Sequence, residues 1–266
     1  MNFLKAILAR VIGRRLTVRL RDSFRTKFDE VYLIYRYFEF VRKPNEIRVM
    51  VDVGAHYGES AERFLLEGWN VHCFEPDIGN FQKLSANLKS FDNVDLVQKA
   101  LSNVEATLPF YRSTVSDGIN SLLSFHESHE SVYSVSVTTL QEYLKKANVK
   151  HIDFLKIDVE GYEFFVLQGI DFSSTSISII CLEFEDRKTE KLGLSIDDLI
   201  KSLVEQGYHI LVAEWEPISQ YGAVHKFKKL HRMDEVNIQK NSWGNIIACR
   251  DINALNWLSN NATSKI

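Results

Sequence analysis

Short β-branched runs recur along this chain at intervals that leave room for one helix between them. Residues 47–53, 69–74, 93–98, 152–157 and 177–183 are such runs, and helical periodicity fills 59–67 and 78–89. Strand, helix, strand alternation of this kind favours a mostly parallel sheet wound on both faces, because a parallel pair needs a crossover and that crossover is right-handed. A further helix over 196–206 stops at Gly207, and 208–215 and 245–249 complete a set of seven strands. The segments 107–111 and 133–137 read as extra edge strands.

A chain of 266 residues that is 45% hydrophobic can bury one sizeable core. The expected organisation is a helical extension over 1–45, an α/β domain over 46–252 and a tail over 253–266. Net charge is −3, which argues against a nucleic-acid partner. Cys73, Cys181 and Cys249 are odd in number and widely spaced in apolar runs, so neither a disulfide framework nor a zinc site is implied and a cytoplasmic compartment is the default. No apolar run approaches the roughly 20 residues of a membrane span.

The first 43 residues carry 11 Lys or Arg against 4 Asp or Glu. Leu4, Ile7, Leu8, Val11 and Ile12 share one helical face, with Arg10, Arg14 and Arg15 elsewhere. Such a basic amphipathic arm either attaches to an anionic membrane surface or a protein partner, or packs beside the main domain. The arginines interrupt the apolar stretch too early for a signal peptide.

Chemistry concentrates where the strands end. After the first run, Asp52-Val53-Gly54-Ala55-His56-Tyr57-Gly58 places two glycines in a turn before a helix, so backbone and exposed amides can approach a ligand. A nicotinamide site would use Gly-x-Gly-x-x-Gly, whereas the spacing here is Gly-x-x-x-Gly. Glu75 ends the second run 23 residues after Asp52, where a carboxylate accepts hydrogen bonds from both ribose hydroxyls of a nucleoside. Asp52 can attract an ammonium group or bond the turn amides. Lys99 and Ala100, just past the third run, can line an adenine or form an ordinary connection.

Taken together, Asp52 to Gly58, Phe74-Glu75-Pro76, Ala100-Leu101-Ser102, Val137-Thr138-Thr139-Leu140 and Leu155-Lys156-Ile157-Asp158-Val159-Glu160-Gly161-Tyr162-Glu163 resemble FkbM-family methyltransferases over about residues 48–250. The resemblance implies a class I methyltransferase, Rossmann-like fold with an antiparallel C-terminal strand. It also implies S-adenosylmethionine as donor, a site built from Asp52, Gly54, Ala55, His56, Gly58, Glu75, Pro76, Lys99 and Ala100, and O-methylation of a sugar or polyketide hydroxyl. His56 stands where the family usually has Asn.

Methyl transfer to an alcohol needs an aligned oxygen and a route for its proton, through a base or a divalent cation. Asp158 and Glu183 end the fourth and fifth strands, and in catechol-type O-methyltransferases carboxylates at these strand ends hold magnesium. An oxygen-rich pair of this kind suits Mg²⁺ or Mn²⁺. The alternative is a polar strand-helix junction, with Glu160 or His225 as the base. The connection holding Trp215, Tyr221, His225, Lys228, Lys229 and His231 is the expected acceptor surface, since aromatic faces cover sugars and cations hold their phosphates. Residues 113–131 read as a lid. Two rivals stand beside this reading: a NAD-dependent dehydrogenase or epimerase, and a noncatalytic module recruited to glycan machinery or a membrane through its basic arm.

Overall fold

The computed structural model describes residues 13–18, 28–218, 225–235, 237–239 and 241–262. Helix α1 (Glu30–Phe40) leads into β1 (Val49–Val53), α2 (Glu59–Leu66), β2 (Asn70–Phe74), α3 (Ile78–Leu88) and β3 (Val94–Val97). Three strands follow without an α-helix, β4 (Ala100–Leu101), β5 (Ala106–Ser113) and β6 (His129–Thr138). The alternation then resumes with α4 (Leu140–Ala147), β7 (His151–Ile157), α5 (Glu163–Gln168), β8 (Ser176–Glu185), α6 (Asp186–Thr189) and α7 (Ile196–Glu205). Strands β9 (His209–Trp215), β10 (Phe227–Arg232) and β11 (Trp243–Cys249) precede α8 (Ile252–Asn261).

The main sheet runs β10-β9-β11-β8-β7-β1-β2-β3. Its inner pairs from β3 to β8 are parallel, and β11 is antiparallel to both β8 and β9. From β1 the chain winds outward through β2 and β3, then returns to lay β7 on the other side of β1. That reversal opens a crevice beyond the carboxyl ends of β1 and β7, where open α/β sheets take their ligands. The expectation of seven strands is corrected to eight, because residues 227–232 of the presumed acceptor connection pair with β9. The segments expected as edges of the main sheet instead form a second sheet, β4-β6-β5.

Alternation along each central strand feeds two apolar layers. Leu155, Ile157 and Leu182 face Leu140, Val166 and Leu203 on one side. Met50, Phe154 and Cys181 face Phe64, Leu84 and Leu258 on the other. The three cysteines are buried and unbridged. Among the described residues no helix is long and apolar enough to cross a membrane.

Contacts run across the expected boundaries at 45 and 253. Asp29 caps α1 by accepting from the Tyr32 amide at 2.6 Å, and Leu33, Ile34 and Phe38 enter the second apolar layer. Arg48 is buried and donates to the Phe38 carbonyl at 2.6 Å, so a cation meets the negative end of α1. Glu30 is buried too and accepts from the Trp215 indole at 2.7 Å. Ala254, Leu255 and Leu258 of α8 pack into the same layer. Within the basic arm, residues 13–18 are helical; Arg14 donates to Ser90 at 3.0 Å and Arg15 to the Leu66 carbonyl at 2.9 Å. Both arginines thus face the domain, while Leu4, Ile7, Leu8, Arg10, Val11 and Ile12 lie outside the described residues.

If α1 is integral, Phe38→Ala lowers unfolding free energy by about 3 kcal/mol in urea titration, as for a core phenylalanine; a loss under about 1 kcal/mol would make α1 a peripheral arm.

Candidate active site

Val53 is the last residue of β1, and the turn after it is shaped by its neighbours. The Gly54 and Ala55 amides donate to the Phe74 carbonyl at 3.0 and 2.9 Å, tying the β1 exit to β2. Gly54 has φ +78°, and a Cβ there would lie 1.8 Å from the Asp158 carbonyl oxygen. Glycine is therefore required by the contact between two strand exits. Gly58 opens α2 at φ +86°, where a Cβ would press on Leu84 and Leu88 of α3 at 2.9 Å. His56, at φ +49°, turns its amide to Glu75 Oε2 at 2.9 Å.

Glu75 is held from both sides, its other oxygen accepting from the Asp77 amide at 2.9 Å. Burial pushes its pKa up to about 8, although both amides favour the charged form. Asp77, itself fully buried, caps α3 through the Asn80 amide at 2.9 Å. It also accepts from Tyr133 Oη at 2.8 Å and lies 3.1 Å from Arg112 Nε. Through Asp77 the second sheet is fastened beside Glu75.

A cavity of about 230 Å³ lies over these strand ends. Of the residues read from sequence, Gly54, His56, Glu75, Pro76, Lys99, Ala100, Asp158 and Glu160 line it. The remainder are placed elsewhere. Asp52 is fully buried beside Lys156, its cross-strand partner, whose Nζ is 3.6 Å away. Burial pushes its pKa up to about 6, against the pull of Lys156. Ala55 and Gly58 shape the turn without lining the cavity. His225 packs edge-on against Trp243, centroids 4.7 Å apart, and is not among the residues that line the cavity. Lys228 and His231, expected to face an acceptor, engage the buried Glu214 at 2.9 and 2.7 Å because β10 joins the sheet. Tyr221 lies outside the described residues.

Residues 113–131 do cover the cavity, contributing Asp117, Asn120, Ser121 and Leu122 to its lining. Asp117 pairs with Tyr57 Oη and stands 3.5 Å from both Lys83 Nζ and His56 Nε2. Ser121 is buried and donates to the Glu160 carbonyl at 2.9 Å. The lid is thus fastened to the β1 turn on one side and to the β7 exit on the other. Asn80, Asn120 and Ser121 were not singled out in the sequence as site residues, since only α3 and the connection within the second sheet bring them over the strand ends, whereas Tyr162 belongs to the motif at the β7 exit.

The β7 exit is a shelf of carboxylates. Burial opposes ionisation of Asp158, yet the Lys156 ammonium 3.0 Å away holds its carboxyl below the usual range. Glu160 has φ +60°, and burial pushes its pKa up to about 7. Glu163 folds back to accept from the Val159 and Gly161 amides at 3.0 and 3.2 Å, which sets the loop. Lys188 places Nζ 2.5 Å from Glu160 and 2.6 Å from Glu183. The expected metal pair stands close together, and Asp158 and Glu183 each also meet an ammonium group from their own surroundings. Lys156 and Lys188 could have been read from sequence, because carboxylates alternating at a buried strand exit, as in Glu183-Phe184-Glu185, require nearby cations.

A family model described as the methyltransferase FkbM domain matches residues 52–210. Among curated proteins, the 2-O-methyltransferase NoeI of Sinorhizobium fredii is 26% identical over 157 residues, covering 53% of this chain and 64% of that protein. The chain thus spans less than two thirds of the length of this relative. Similar solved structures include a precorrin-6y C5,15-methyltransferase from Geobacter metallireducens, at 16% identity, 82% and 87% coverage of the two chains and a TM-score of 0.42. The N-terminal domain of human METTL16 matches at 12% identity, 83% and 67% coverage and a TM-score of 0.44.

Gly54→Ala is expected to destabilise the fold by about 3 kcal/mol or more, since both the positive φ and the Asp158 carbonyl resist a Cβ. An unfolding free energy within about 1 kcal/mol of the parent would show that the two strand exits can separate without cost.

Proposed function

The chain belongs to the FkbM methyltransferase family, and from that premise we propose that it transfers the methyl group of S-adenosylmethionine to a hydroxyl of a sugar in a surface glycan or its precursor, or of a secondary metabolite. The observation that carries this reading is the meeting of Glu75 with Asp158 and Glu160 on one covered cavity. A 2-O-methyltransferase among the relatives supports oxygen as the accepting atom. Family membership sets aside the nicotinamide alternative, and the assembled cavity argues against a purely noncatalytic module.

Bound S-adenosylmethionine supplies a methyl group activated on a sulfonium. Glu75, its carboxylate aimed by two amides, suits the paired ribose hydroxyls. Pro76, Ala100 and Leu101 offer apolar surface for a purine beside Lys99. Asp158, kept charged by Lys156, attracts the positive end of the donor and orients the acceptor. Glu160 takes the hydroxyl proton as oxygen attacks, an assignment suited to a carboxyl whose pKa burial has moved near 7. Ser121 and Leu122 exclude water from above.

Calorimetry with S-adenosylmethionine, S-adenosylhomocysteine and NAD, followed by transfer of labelled methyl to a panel of sugars, tests the whole reading. Binding of NAD without the adenosyl ligands would overturn it. Because the carboxylate form of Glu75 accepts the ribose, S-adenosylhomocysteine affinity should rise with pH as Glu75 deprotonates, by about 50-fold between pH 6 and 8 if binding holds the group ionised. A proton is released on binding at pH 7, seen as a buffer-dependent heat. Glu75→Gln should abolish that pH dependence and weaken binding at least about tenfold; a flat pH response in the parent protein removes Glu75 from the donor site. Glu160→Gln should lower kcat by about 100-fold or more while S-adenosylhomocysteine still binds. Unchanged turnover would exclude Glu160 as the base.

A further inference from the structure

One oxygen each from Asp158, Glu160 and Glu183 lies within 4.8 Å of the others, a spacing that matches a divalent cation. Beside two of these three carboxylates the structure already holds a positive charge. Lys188 Nζ is 2.5 Å from Glu160 Oε2, 2.6 Å from Glu183 Oε2 and 3.4 Å from Glu185 Oε2, and its side chain is only 2% exposed. We propose that Lys188 is the resident cation of this shelf, doing with a covalently supplied ammonium what a divalent metal does in carboxylate-ligated methyltransferases. The proposal rests on the methyltransferase reading above and deepens it: the acceptor half of the site is complete without a metal.

The chain builds this arrangement locally. Glu183 and Glu185 point to the same face near the end of β8, and the turn of α6 brings Lys188 back beneath them. Glu160 arrives from the β7 exit. Gly161, at φ +96°, passes so close that a Cβ would be 3.1 Å from Lys188 Cβ, so the glycine makes room for the lysine stem. The remaining carboxylates are also spoken for: Lys156 serves Asp158 at 3.0 Å, Arg187 Nε serves Glu185 at 2.9 Å, and two amides serve Glu163. A dication entering between Glu160 and Glu183 would meet the Lys188 ammonium within contact distance of both carboxylates. Lys188 thus acts as a positioning residue, keeping the Glu160 carboxylate at the cavity wall.

Electron paramagnetic resonance titration with Mn²⁺ alone tests this on the full chain. The parent protein should bind no Mn²⁺ that Glu183→Gln removes, whereas Lys188→Ala should open a three-carboxylate site with affinity raised about a hundredfold. Millimolar methylammonium should displace Mn²⁺ from Lys188→Ala by restoring the missing charge, which a merely structural lysine would not predict. Lys188→Arg should remain without Mn²⁺. Stoichiometric Mn²⁺ on the parent, lost in Glu183→Gln, would overturn the proposal, and that measurement stands even if Lys188→Ala fails to fold. Failure of Lys188→Ala to gain Mn²⁺ while folded would overturn it as well. S-adenosylhomocysteine calorimetry on the parent reports separately on the donor reading.

Discussion

At Gly54 the exit of β1 and the exit of β7 touch backbone to backbone, closer than any side chain allows. Everything distinctive about the site follows from that approach. It occurs at the point where strand order reverses, so two loops from opposite windings of the sheet share one rim. The β1 turn delivers its amide to Glu75, and the β7 exit delivers Asp158 and Glu160. If the exits were separated by the width of a methyl group, the wall carrying Glu75 and the wall carrying Asp158 and Glu160 would no longer enclose a common cavity.

Buried charge is the second theme. A carboxylate leaves water only if something else meets it, and an unpaired one is pushed toward its neutral form. The protein answers differently on the two walls. Glu75 is met by amides, which aim it without cancelling its capacity to accept from a ligand. At the exits of β7 and β8, Asp158, Glu160, Glu183 and Glu185 are met by lysine or arginine. Amides leave a carboxylate free to accept further hydrogen bonds; ammonium groups fix the position and charge of the carboxylates they meet. Replacing one partner of such a pair leaves the other stranded, so these contacts constrain the site beyond their modest net contribution to stability.

Much of this was legible in the order of residues. The alternation of apolar runs with helical segments announced the wound sheet, because period-two and period-3.6 patterns depend only on local chain geometry. The glycines at 54 and 58 and the carboxylates at 75, 158 and 160 stood at strand ends, and the structure puts 54, 75, 158 and 160 around one cavity. Asp52 and His225 were less legible for opposite reasons. Asp52 occupies a strand-end position like that of Glu75, yet pairing with β7 sets Lys156 opposite it and draws its carboxylate beneath the site. His225 has suitable chemistry, but its neighbourhood depends on how β10 and β11 return to β9. A long connection rich in lysine reads as a ligand surface until an edge strand turns Lys228 and His231 toward Glu214.

By itself the sequence determined the wound α/β sheet, the strand ends at which polar residues gather, and the family signature that those residues spell. These are properties of short segments, set by backbone sterics and hydrophobic period, and they survive without knowledge of distant neighbours. Only the tertiary structure decided that α1 and α8 complete the core, that the second sheet roofs the cavity through Asp77, and that Lys188 lies between Glu160 and Glu183. Those outcomes depend on which surfaces meet after the sheet has closed. Burial, and therefore the strength of every charge and hydrogen bond at the site, is a property of the packed whole rather than of any stretch of chain.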